Sequence, residues 1–137
     1  MCLCTISRSQ KPKPEGEGWK VFGLYRDRSA EKAYLRGVYH TGPDISATEW
    51  NKTDTEHVIG GGLYRAGWHI FKTEAAAKKM MLDVFQRPYR VVLKVRYRGA
   101  HTEGTQWPEA TTPDSVVAGE FQIIEGQKLT WQEIQII

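Results

Sequence analysis

The sequence predicts a single α+β domain, on three observations. Residues 90–98 alternate apolar and charged side chains with a period of two. Residues 73–86 repeat apolar positions at helical spacing, between a capping threonine and a proline. Short runs rich in Tyr, Val and Ile lie to either side, separated by Gly, Pro and polar stretches. The expected architecture is a mixed or antiparallel sheet of five to six strands with one main helix, about 73–87, packed on one face.

Taken in order, Cys2–Ser7 reads as a short first strand, and the Pro/Lys/Glu/Gly run at 9–18 as a surface linker. Trp19–Arg26 and Leu35–Thr41 read as strands, with Asp27–Ala33 between them as a loop or one helical turn. From Gly42 to Ala66 the pattern dissolves, and 42–66 is expected to be a long loop, containing the permissive Gly60-Gly61-Gly62. Trp68–Lys72 is a short strand. Thr73 then caps a helix, with Glu74 in the first turn where it favours the helix dipole. Ala76, Ala77, Met80, Met81, Val84 and Phe85 share the apolar face, Lys78 and Lys79 face out, and Pro88 ends the helix. The strand 90–98 follows directly. A second long loop is expected over 99–114, and Val116–Ile124 with Leu129–Ile137 as a closing hairpin around Glu125-Gly126-Gln127-Lys128.

At 137 residues the chain is long enough to bury a core without disulfide staples, and five Trp, six Tyr and four Phe supply bulk for it. The formal net charge of +3 is mild, so any argument for an anionic partner rests on how the charge is distributed. No stretch approaches the apolar length of a membrane helix, and residues 1–18 lack the apolar centre of a secretory signal. The expected location is the cytoplasm, with no membrane partner. Asn51-Lys52-Thr53 matches a glycosylation acceptor that has no secretion route to use it.

The strand 90–98 carries the main functional expectation. Val91, Leu93, Val95 and Tyr97 fall on one face; Arg90, Lys94, Arg96 and Arg98 fall on the other, with Val92 among them. A row of guanidinium and ammonium groups suits phosphates and other anions. Tyr64, Arg65, Trp68 and His69 precede the helix and would add a stacking surface and a further cation. The eight residues together form the expected ligand-binding set. The bland alternative is a solvated sheet face whose cations discourage aggregation.

Other constellations are weaker. Gly60-Gly61-Gly62 lacks the Lys-Ser/Thr ending of a phosphate loop and reads as a flexible segment. Cys2 and Cys4 with His40, His57, His69 and His101 match none of the common zinc spacings, so no metal and no cofactor is expected. Cys2, exposed by removal of Met1, would place a thiol beside an α-amino group, but no base or oxyanion donor is identifiable for it. Glu103, Glu109, Asp114 and Glu120 show no paired spacing for acid–base work.

The start Met1-Cys2-Leu3, the strand Lys20-Val21-Phe22 and the block Gly67-Trp68-His69-Ile70-Phe71-Lys72-Thr73 followed by Ala76 resemble a loosely defined group of small phage and prophage proteins. Members of that group begin Met-Cys-Leu, then carry a Lys-Val strand, a Gly-aromatic-His-x-Phe-Lys-Thr stretch opening a helix, and a Val-rich strand. Typical members continue that last strand with Cys or Ile where this chain has Arg96-Tyr97-Arg98, so the resemblance stops short of the basic face. It implies host takeover or counter-defence, by binding a host defence protein, a nucleic acid or a nucleotide signal.

The combined expectation is a non-enzymatic binding protein whose basic sheet face engages an anionic ligand, nucleic acid or nucleotide, or an acidic host-protein surface. The alternative is a small enzyme acting on a nucleotide or nucleotide cofactor, with His69, Tyr64 or Cys2 as the chemical group. The oligomeric state is left open, a homo-oligomer included.

Overall fold

The structure is a computed structural model and describes residues 3, 5–6, 11–26, 33–37, 45–46, 48–53, 58–59, 64–83, 90–106, 112–124 and 135–136. The order of elements is β1 (Thr5–Ile6), β2 (Gly16–Arg26), β3 (Ala33–Gly37), β4 (Asn51–Lys52), β5 (Val58–Ile59), β6 (Tyr64–Arg65), β7 (Trp68–Phe71), α1 (Glu74–Asp83), β8 (Arg90–Thr105), β9 (Ser115–Ile123) and β10 (Gln135–Ile136). The α+β class is borne out. Five of these strands, β2, β3, β7, β8 and β9, have four residues or more, and one helix packs on them.

The main sheet closes on itself. β8 pairs with β2, β2 with β7, β7 with β9, and β9 with the second half of β8, all antiparallel. The 16-residue length of β8 makes this closure possible, because residues 90–97 serve β2 while 95–104 serve β9. The ring encloses Phe22, Trp68, Ile70, Val91, Leu93, Val95, Val116, Ala118, Phe121 and Ile123. Phe121 packs edge-on against Trp68 at 5.0 Å between ring centroids and tilted against Phe22 at 5.7 Å. Full burial of each such side chain contributes about 1.5–3 kcal/mol.

The helix forms where the sequence places it. Thr73 Oγ1 accepts the Ala76 N–H at 3.2 Å, which is N-capping, and Glu74 pairs with Lys78 one turn on at 2.8 Å. Ala77 and Met80 are buried, against Val21 and Phe71, with Trp19, Ala76, Met81 and Val92 at the margin. Val84 and Phe85, and the expected continuation to 87, lie outside the described residues. α1 packs on the outside of the ring, on the face that carries Val92 and its cationic neighbours. That face is therefore not one open row of charge.

Four further expectations are corrected. The segment 99–114 is not a loop throughout, since β8 runs on to Thr105; Gly99 takes φ 69° and the register slips between Ala100 and Thr102. Only glycine adopts that backbone angle without strain, so the strand turns there and continues. The 42–66 region holds β4, β5 and β6, and the 9–18 linker yields to β2 at Gly16. Of the second strand of the expected closing hairpin only β10 is described, and it pairs in parallel with β2, Gln135 opposite Tyr25, instead of with β9. The part of the Leu35–Thr41 strand beyond Gly37, the Asp27–Ala33 connection up to residue 32, and Gly60-Gly61-Gly62 lie outside the described residues.

Candidate anion-binding depression

At the end of the ring where β2 begins, Glu15, Gly16, Glu17, Trp50, Arg96, Tyr97 and Arg98 line an open depression of about 460 Å³. Each part is held by local structure. Gly16 lies opposite Tyr97 and Glu17 opposite Arg96 in the β2–β8 ladder. A Cβ on Gly16 would stand 2.6 Å from the Tyr97 hydroxyl, so the missing side chain is what lets the Tyr97 ring lie across the start of β2. The segment before β2 is tied down by the Ala100 N–H, which donates to the Pro14 carbonyl at 3.0 Å and so fixes Glu15 at the rim.

Trp50 comes from the polar 42–66 region, expected from sequence to be a long loop. Asn51 organises it: Oδ1 accepts the Ser46 N–H at 2.8 Å, and Nδ2 donates to the Ser46 carbonyl at 3.1 Å. The Gln122 amide donates to the Thr48 carbonyl at 2.8 Å, and β4 pairs with β9, fastening the turn to the sheet. Trp50 is thereby set under Arg98, whose guanidinium carbon stands 4.0 Å from its ring centroid. Arg98 is also ion-paired to Glu120, which Lys52 approaches at 3.8 Å. Stacked and paired, Arg98 has little rotamer freedom left to lose on binding.

The cations of the strand are thus not equivalent. Lys94 pairs with Glu17 at 3.3 Å and lies 5.4 Å from the Trp19 ring. Arg98 is engaged as described. Arg90 is half-buried at the far end of the strand, opposite Gly23. Arg96 is exposed and makes no ion pair among the described residues. Arg96 and Arg98 line the depression; Arg90 and Lys94 do not.

Tyr64, Arg65, Trp68 and His69 are not brought to it either. Trp68 belongs to the interior of the ring. Tyr64 is buried with Leu3 and Val117; its hydroxyl accepts the Leu3 N–H at 2.8 Å and lies 3.2 Å from His69 Nε2. His69 also bonds to the backbone at Gly67. Burial, reinforced by the charge of Lys20, lowers its pKa to about 3, so the ring is neutral, with Nε2 accepting from the Tyr64 hydroxyl. This is a structural histidine. Arg65 is exposed on β6.

Inside the ring stands a cation the sequence analysis did not single out. Lys20 shares the inward face of β2 with Phe22; its ammonium donates to the His69 carbonyl at 3.0 Å and lies 5.5 Å from the Trp68 ring and 5.9 Å from that of Phe121. Burial lowers its pKa to about 8. The alternation of β2 alone points Lys20 inward, a signal visible once Trp19, Val21 and Gly23 are assigned to the helix side.

Cys2, Cys4, His40, His57 and Glu109 lie outside the described residues. Among the described residues, no three His, Cys, Asp or Glu side chains gather as metal ligands, and no helix is long and apolar enough to cross a membrane. Comparison with protein-family models, with curated proteins and with solved structures gives no match.

Proposed function

We propose that this chain is a non-enzymatic binding protein that receives an anionic ligand in the depression beside Arg96. One observation carries the reading: an exposed arginine that makes no ion pair among the described residues stands two residues from an arginine already oriented by stacking on Trp50. A fixed and a free guanidinium side by side match the oxygens of a phosphate or carboxylate, and the fixed one costs little entropy to use. The site is narrower than the four-cation row expected from sequence, because Lys94 is paired with Glu17 and neither Lys94 nor Arg90 lines the depression. The resemblance to phage proteins supports a role in host takeover or counter-defence, with a nucleic acid, a nucleotide signal or an acidic host-protein surface as the anion.

The enzymatic alternative draws less support. Tyr64 and His69 are committed to each other and to the backbone, and nothing in the depression pairs a nucleophile with a base. Titration with inorganic pyrophosphate, followed by tryptophan fluorescence, tests the proposal. Binding should weaken by about tenfold or more in Arg96→Glu and fall with added salt. Equal binding by a folded Arg96→Glu variant would reduce the strand to a solvated face.

A further inference from the structure

Resting on that reading, we infer that the depression takes a single nucleotide whose base presents amino donors, guanine above the others, and not a nucleic-acid strand. Three features of the lining point there. The volume of about 460 Å³ falls in the range of small-ligand pockets, whereas a polynucleotide follows a continuous basic groove. The lining carries both signs of charge: Glu15 and Glu17 stand at the rim with Arg96. An ionised carboxylate only accepts hydrogen bonds, so it repels a second and third phosphate along a strand but receives the N–H groups of a base. Guanine offers N1–H and the N2 amine side by side, the spacing of a carboxylate's two oxygens; uracil offers one imide N–H flanked by carbonyls that a carboxylate repels.

The aromatic groups complete the set. Trp50 is half-buried under the Arg98 guanidinium, and Tyr97 is half-buried across Gly16. Both rings line the depression with Arg98, so a base entering it is offered two aromatic side chains and a planar cation, each a sequence-tolerant stacking partner. Stacking thus holds any base, Arg96 takes the phosphate, and the rim carboxylates discriminate the edge. Glu15 is the better discriminator to test, since Glu17 already shares its charge with Lys94 and Glu15 makes no ion pair among the described residues.

The experiment is calorimetric titration of the full chain with GMP, UMP, pyrophosphate and a twelve-nucleotide single strand, with thermal melts to confirm that each variant folds. GMP should bind about tenfold or more tighter than UMP, from two charge-assisted hydrogen bonds against one that the flanking carbonyls oppose. Glu15→Gln should reduce the GMP advantage without weakening pyrophosphate binding; Trp50→Ala should weaken both nucleotides by more than it weakens pyrophosphate, which loses only the stacking support of Arg98. Equal affinity for GMP and UMP overturns the base-edge inference while the anion site stands. A single strand binding tighter than GMP, with a steep salt dependence, also overturns it, in favour of a polynucleotide partner. Failure of pyrophosphate and every nucleotide to bind removes the anion-site proposal itself.

Discussion

Replacing Lys20 with methionine should abolish an alkaline rise in stability that the native chain shows. Lys20 lies on the inward face of β2, flanked by the rings of Trp68 and Phe121, with the His69 carbonyl as its hydrogen-bond acceptor at 3.0 Å. Burial lowers its pKa from 10.5 to about 8, and at ~1.4 kcal/mol for each pKa unit the folded state bears about 3 kcal/mol for keeping the charge. The folded pKa lies below the unfolded one, so below pH 8 both states are protonated and the cost is fully present. Between pH 8 and 10.5 the folded state releases its proton first, the unfolded chain binds more protons, and stability rises with pH. The loss of the hydrogen bond and the ring contacts offsets part of any gain at pH 7, by about 1–2 kcal/mol together. The diagnostic is therefore the pH dependence. Urea unfolding followed by tryptophan fluorescence at pH 7, 8, 9 and 10 should show native stability climbing relative to Lys20→Met by about 2–3 kcal/mol. A difference that stays flat across that range would mean that water reaches Lys20 freely, and the inward placement would be wrong.

Phe121→Ala should destabilise the fold by about 3–5 kcal/mol in the same unfolding assay, because its ring is fully buried between Trp68 and Phe22; a loss below about 1 kcal/mol would place it outside the core. Tyr64→Phe should cost about 1–3 kcal/mol, since the Leu3 N–H and His69 Nε2 both lose their partner; no loss would mean that water already serves them. His69, with its pKa lowered from 6.5 to about 3, contributes stability that is present above pH 6.5 and lost as the pH falls towards 3. The His69→Gln variant should accordingly lose less stability over that window, and an identical acid slope would contradict the assignment. Gly16→Ala should leave the chain folded but displace the Tyr97 ring, read as shifted aromatic resonances confined to the depression; unchanged resonances would show that Tyr97 does not lie across Gly16.

Sequence reasoning reached the parts of this molecule in which local pattern and tertiary environment agree. The helix was legible because Thr73, the apolar spacing of Ala77 and Met80, and Pro88 all speak for it within a few residues. The strand was legible to Arg98 and no further, because Gly99 turns the backbone and the slip near His101 breaks the alternation once more. Strands of two residues, such as Asn51–Lys52 and Tyr64–Arg65, are shorter than the pattern that would announce them. The parallel pairing of Gln135–Ile136 with β2 depends on residues far apart in the chain and has no local mark. For the site, charge alone selected Arg96 and Arg98 together with two cations that carboxylates or the helix side of the sheet claim. Trp50, Glu15 and Glu17 were passed over because they lie in polar segments whose place is set by Asn51, Pro14 and the register of β2. An isolated tryptophan within a polar stretch was the available clue.

The double duty of β8 also governs how the chain reaches this structure. Gly16 must find Tyr97 and Gly23 must find Arg90, so the central seam joins segments separated by about half the chain. Pairings of such high sequence separation form slowly, since the loop entropy is lost before the contacts reward it. On the ribosome β2 emerges long before β8, and until then the apolar side chains of Val21 and Phe22 have only local partners to cover them. Refolding from denaturant should thus occur on the millisecond-to-second scale of all-β domains rather than at the speed of helical ones. The nascent chain is most prone to aggregate in the interval before residues 90–97 have left the ribosomal exit tunnel.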